Sequence, residues 1–202
     1  MFLPMAESSL SCNRSVLDFL MLVGKLKHIK RTGWVRSNVP DCETIAGHMY
    51  RMSVMAFLLG DQISSNLDRN KCIKMCLVHD MAECIVGDIT PFCGVSAEEK
   101  HSREVAAMKR LSSLVGKEVG AEFLSLFMEY EEKETAESKF VHDLDKFDMI
   151  LQAYEYEKES NNSLDLQQFF NSTEGIFQNP MVLEWVSDLK KQRGKPSSED
   201  SL

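Results

Sequence analysis

Apolar residues recur along this chain at three- and four-residue intervals, and strand-like alternation is scarce. Leu17, Leu20, Val23, Leu26 and Ile29 mark a first helix. A loop with Arg31-Thr32-Gly33-Trp34 follows and ends near Pro40-Asp41. A second helix covers roughly 45–60, with Met49, Met52, Val54, Met55 and Leu58 as its core candidates. Asp68 is a suitable N-cap for a third, which runs to about Ile85 before Gly87. Ser96-Ala97-Glu98-Glu99 reads as a capping box opening a fourth helix, closed near Gly116. Further helices are expected over roughly 117–131, 135–158 and 164–171. Asn179-Pro180, as N-cap and N1, starts the last. The fold class is therefore all-α. The division expected is a flexible tail over 1–13, one domain over 14–193 and a disordered Ser-, Lys- and Glu-rich tail over 194–202.

Composition narrows this little. The chain has 202 residues, 44% of them hydrophobic, enough for one ordinary core. A net charge of -8 argues against a nucleic-acid polymer as partner, but not against a nucleotide in one locally positive pocket. None of Cys12, Cys42, Cys72, Cys76, Cys84 and Cys93 forms a CxxC pair, so reduced thiols used as small core residues are expected. That usage fits an intracellular compartment. No apolar run reaches the length of a membrane span, and no secretory signal is visible, so a cytoplasmic location without membrane partners is expected.

Chemistry enters where polar residues interrupt apolar helices. Three segments do this: Gly47-His48-Met49-Tyr50-Arg51, Leu77-Val78-His79-Asp80-Met81-Ala82-Glu83, and Val141-His142-Asp143-Leu144-Asp145-Lys146. His79 and Asp80 are flanked by Met75, Cys76, Leu77 and Val78 on one side and by Met81 and Ala82 on the other. Buried there without partners, they would cost several kcal/mol (order of magnitude). A divalent metal removes that cost, since imidazole and carboxylate are common ligands of such ions. Neighbouring helix positions diverge by about 100°, so an ion shared by both sits off the helix flank and needs ligands from other helices. His48 and Asp145 are the natural suppliers, leaving positions open for water and phosphate.

The pattern His48, His79-Asp80, Asp145 resembles the HD-domain metal-dependent phosphohydrolases. The stretch from Val78 to Ile89, with Arg31-Thr32-Gly33-Trp34-Val35, His48-Met49-Tyr50-Arg51-Met52 and Glu98-Glu99-Lys100-His101, resembles more narrowly a 5′-deoxynucleotidase group within them. The likeness spans roughly residues 15–190. It implies a globular helical bundle, a homodimer, a divalent cation (Mn, Co, Mg, Fe or Zn) held by His48, His79, Asp80 and Asp145, and release of phosphate from deoxynucleoside 5′-monophosphates. Glu83, four residues after His79, is placed to assist proton transfer beside Asp80. Asp88 could meet the sugar 3′-hydroxyl; alternatively Glu83, Asp88 and the Ile89 carbonyl could hold a second ion. Trp34 is read either as a stacking platform for a base or as a loop residue folded onto the core. Arg31 or Arg36 is the candidate phosphate contact.

Two departures from the group's pattern stand out. Gly33 occupies the place before Trp34 where bacterial relatives carry Arg, and Gly47 the place before the first metal histidine where relatives usually carry an acid. With Thr44 as N-cap, that acid would complete a capping box, so Gly47→Glu should stabilise the protein without abolishing activity. Alternatives are an HD enzyme for another nucleotide (a dNTP, cyclic dinucleotide or alarmone) and a non-catalytic module that holds a structural metal.

Overall fold

The computed structural model describes residues 7–60, 67–161 and 163–194, with side chains from 15 onward. Ten α-helices order it: α1 Glu7–Val23, α2 Thr32–Arg36, α3 Ile45–Phe57, α4 Arg69–Val78, α5 Glu83–Val86, α6 Ala97–Ser113, α7 Lys117–Glu132, α8 Ala136–Glu159, α9 Gln167–Asn171 and α10 Pro180–Arg193. Single 3-10 turns occupy Gly24–Lys27 and Pro91–Cys93. Among the described residues the only β pairing is one antiparallel bridge, Lys30 to Thr44. The all-α expectation therefore holds. Helix α1 is already running at Glu7, inside the stretch expected to be a tail; residues 195–202 of the expected C-terminal tail lie outside the described residues.

Local signals set five of the ten described helix starts. Thr44, Asp68, Ser96, Thr135 and Asn179 each accept a backbone N–H of the first turn through the side chain. Each cap is worth about 1 kcal/mol. Gly116 does not end α6, as its position suggested, but stands as N-cap of α7. Gly120 explains the close crossing of α6 and α7: a Cβ there would sit 2.3 Å from the Ser112 carbonyl oxygen.

Helix α8 is the spine. It packs against α3, α4, α7 and α10, and buries Phe140, Val141, Leu144, Phe147, Ile150 and Ala153. The same helix buries Asp143, Asp145, Asp148 and Gln152, a polar stripe that needs partners. Two of the core candidates of the predicted second helix are corrected: Val54 in α3 is 44% exposed, and Leu58, its C-cap, 58% exposed. Helix α3 is apolar on both sides, so its periodicity could not say which side faces α4 and α8.

The third predicted helix is broken. Helix α4 stops at Val78, and His79–Ala82 form a tight turn closed by Met81 N–H to Val78 O (3.0 Å) and Glu83 N–H to Asp80 O (3.1 Å). Helix α5 then runs for one turn until Gly87, whose φ of 77° reverses the chain. The break falls at the His-Asp pair, so Glu83 and His79 do not share one helix face.

Candidate metal centre

The break turns the end of α4 toward α3 and α8, and three elements meet there. The His48 Nε2 atom on α3 lies 3.3 Å from Asp145 Oδ1 on α8 and 3.7 Å from Asp80 Oδ2 in the turn. His79 Nε2 lies 3.2 Å from the same Asp80 oxygen. Ligand atoms of His48, His79 and Asp145 all fall within 4.8 Å of one another. Of the four residues picked out along the sequence, His48, His79 and Asp145 thus converge, and Asp80 lies against both histidines.

The donor chemistry suits a divalent cation. His79 Nδ1 donates to the Cys76 carbonyl at 2.9 Å, and His48 Nδ1 to the Asp148 carboxylate at 2.6 Å. Each imidazole therefore turns Nε2 inward, and both Nε2 atoms are buried with no hydrogen-bond partner. Buried polar atoms without partners are rare, and two aimed at a pair of carboxylates fit a metal ion. Glu43, His48 and Asp148 also approach within 4.8 Å, but there the histidine nitrogen is already bonded to the Asp148 carboxylate, which in turn accepts from Arg51. That second group is a hydrogen-bond relay rather than an open ligand set.

Charge is balanced unevenly around the centre. Burial would raise the Asp80 carboxyl, but His79 and His48 hold it well below the usual range. Asp145 is likewise held well below, against burial, by Lys146, His48 and Arg31. For His48, burial and Arg31 act downward, yet the adjoining carboxylates of Asp145 and Asp148 raise the imidazole above its ordinary value, favouring on Nε2 a positive charge that a cation there would replace. Glu83 goes the other way. It is buried, its Oε2 has no partner, and burial together with Asp80 and Asp88 drives its proton affinity well above the ordinary carboxylate range.

The candidate substrate contacts separate cleanly. Arg31 reaches the cluster, with Nη2 3.9 Å from Asp145 Oδ1 and Nε 3.6 Å from Glu43 Oε1. Arg36 instead lies over the Phe92 ring at 5.5 Å. The stacking-platform reading of Trp34 is corrected. Its side chain is 1% exposed, packs 4.3 Å from Phe169 and 5.4 Å from Tyr156, and donates its indole N–H to Glu43 at 2.8 Å. No ring face is left for a base. Asp88 accepts the Thr32 backbone N–H at 2.6 Å, tying the chain after α5 to the start of α2, and Ile89 is buried beside it.

Several neighbours escaped the sequence reading. Asp148, Arg51 and Glu43 hold the histidine and arginine from behind. Tyr130 donates to Asp145 Oδ2 at 3.3 Å, and Lys146 to the same oxygen at 2.9 Å. Lys100 on α6 feels Glu104, Glu83, Asp80 and Asp88 together. The only signal for Asp148 was its spacing, three residues after Asp145 on the same helix.

The sequence profile of the HD domain family matches residues 23–183. The chain belongs to the HD domain family. Among HD-domain relatives, the 5′-deoxynucleotidase HDDC2 of Bos taurus is 47% identical over 190 residues, 94% of this chain and 91% of its own length. The 5′-deoxynucleotidase YGK1 of Saccharomyces cerevisiae is 39% identical, covering 88% of this chain and 82% of its own. Among solved structures, the PH0347 protein of Pyrococcus horikoshii superposes with a TM-score of 0.69 at 31% identity, over 88% of this chain and 98% of its own.

Proposed function

We propose that this protein is a metal-dependent 5′-deoxynucleotidase, a phosphoric monoester hydrolase that converts deoxynucleoside 5′-monophosphates to deoxynucleosides and phosphate. The observation that carries the chemistry is the pair of buried, unpartnered Nε2 atoms of His48 and His79 facing Asp80 and Asp145. The substrate class follows the relatives named 5′-deoxynucleotidase, which match nearly the whole chain.

His48, His79, Asp80 and Asp145 hold the cation. Bound there, it supplies Lewis acidity toward a phosphate oxygen and activates water. Glu83, whose Oε2 is buried without a partner, accepts the proton of the attacking water and returns it to the departing nucleoside 5′-oxygen. Arg31, at the rim, offers its guanidinium to the phosphate. Asp88, anchored on Thr32, keeps one carboxylate oxygen for the sugar 3′-hydroxyl or, with Glu83 and the Ile89 carbonyl, for a second ion. The proposal includes a homodimer, supported by the exposed apolar stripe Tyr50, Val54 and Phe57 on α3. It also includes a cytoplasmic location, supported by free Cys42, Cys72, Cys76, Cys84 and Cys93.

The test is phosphate release from dAMP, dGMP and dTMP and their ribose counterparts with added Mn, Co or Mg. Release from the deoxynucleotides is expected. Failure with every metal and substrate overturns the assignment. Asp80→Ala should abolish release and lower metal content; full metal occupancy in that variant would remove Asp80 from the ligand set.

A further inference from the structure

The two histidines of the metal centre are oriented by different kinds of group. His79 leans on a backbone carbonyl, that of Cys76, whose place is fixed by α4 itself. His48 leans on a side chain, and that side chain is a fully buried carboxylate. An isolated buried carboxylate is strongly unfavourable, so Asp148 must be held. Arg51 holds it. Its Nε donates to Asp148 Oδ1, its Nη2 reaches the Asp148 carbonyl at 3.4 Å and Gln152 at 2.8 Å, and its Nη1 binds Glu155 at 2.6 Å. Residues 48 and 51, one turn of α3, thus clamp residues 148, 152 and 155, two turns of α8.

We propose that Asp148, gripped by Arg51, is the positioning residue that fixes the tautomer and orientation of His48 in the metal centre. The proposal rests on the reading of His48 as a ligand. An ionised carboxylate can only accept, so Nδ1 of His48 carries the hydrogen and Nε2 presents its lone pair to the space between Asp80 and Asp145. Arg51 supplies what the Cys76 carbonyl has from the fold: a rigid mount. The relay ends at the surface, in a depression of about 380 Å³ lined by Glu43, Gly47, Tyr50, Arg51, Val54 and Gln152.

An amide at 148 would act on the tautomer rather than on shape. The guanidinium can only donate, so the amide oxygen turns to Arg51 and the NH2 group to His48. Nδ1 must then accept, which moves the ring hydrogen to Nε2, where it opposes a cation. Losing such an orienting partner typically costs about 10- to 100-fold in metal affinity.

The experiment is Co(II) titration of the metal-stripped full chain, followed by visible absorption, for wild type, Asp148→Asn and Arg51→Lys. NMR of each Co(II) protein follows the exchangeable Nδ1–H protons of the ligand histidines. Expected are a ~10- to 100-fold weaker affinity for Asp148→Asn, a smaller loss for Arg51→Lys, and loss or faster solvent exchange of the His48 Nδ1–H signal in Asp148→Asn and faster exchange in Arg51→Lys, with that of His79 unchanged. Wild-type affinity and exchange in a folded Asp148→Asn overturn the proposal. Should Asp148→Asn not fold, the same wild-type behaviour in Arg51→Lys overturns it. A wild type that binds no Co(II) overturns instead the ligand reading on which it stands.

Discussion

Glu43 Oε1 lies 3.6 Å from Arg31 Nε while accepting the indole N–H of Trp34 at 2.8 Å. One carboxylate oxygen thereby ties a buried core residue to the guanidinium at the rim of the metal centre. Removing it leaves a buried donor without an acceptor. Glu43→Ala should therefore destabilise the protein by about 1–3 kcal/mol, whereas Glu43→Gln, which keeps an acceptor oxygen, should lose much less. Urea unfolding of the two variants checks this; equal losses would mean that the indole bond contributes nothing.

Trp34 should behave as core. Trp34→Ala should cost about 3–5 kcal/mol, seen as a large fall in the denaturation midpoint. Trp34→Phe keeps most of the packing and should leave KM for dAMP and dTMP within about twofold. A base-dependent rise in KM with unchanged stability would return Trp34 to the substrate pocket.

Gly47 sits in the first turn of α3, and a Cβ there would meet only Thr44 Oγ1 at an ordinary 3.6 Å. Backbone entropy then decides the outcome. Gly47→Ala should stabilise by about 0.5–1 kcal/mol, raising the melting temperature by about 2–4 °C per kcal/mol. Gly47→Glu should also stabilise, through a capping box with Thr44. A fall in melting temperature for both would show that α3 does not accept a side chain here.

Gly120 is the opposite case. With the Ser112 carbonyl 2.3 Å from the position of a Cβ, Gly120→Ala must separate α6 from α7. A loss of about 1–3 kcal/mol is expected, and calorimetry would show an unchanged melting temperature if the crossing were looser than described.

Glu104 predicts a pH dependence. Burial, with the charges of Glu131 and Asp80, lifts its carboxyl from 4.5 to about 7 against the pull of Lys100. A raised folded value means that the native state prefers the proton. The associated stability is complete below about 4.5 and is lost as pH rises through about 7. Glu104→Gln should accordingly melt higher than wild type at pH 8, with the difference disappearing near pH 4.5. A constant difference across that window would show that Glu104 is not the group responsible.

The helices were legible because their signals are local. Capping residues and apolar spacing act within a turn or two, so Asp68, Ser96 and Asn179 could be placed as caps before any packing was known. His48, His79 and Asp80 were legible for a related reason: each interrupts an apolar run, and such interruptions are unfavourable unless something compensates them; Asp145, among other charged residues, was legible through the resemblance to the HD pattern. The faces of α3 were not legible, because Val54 and Leu58 are as apolar as the residues that α3 does bury. Nor was the break after Val78, since nothing between Met75 and Glu83 is a helix breaker.

The chain alone determined the all-α class, five of the ten described helix starts and the four candidate ligands, since these depend on residue type and near spacing. Tertiary packing decided that Trp34 is core, that Arg31 rather than Arg36 faces the centre, and that Asp148 and Arg51 stand behind His48. Those outcomes depend on which surfaces of distant helices meet, and residues such as 51 and 148 become neighbours only when α3 and α8 bury their polar stripes against each other.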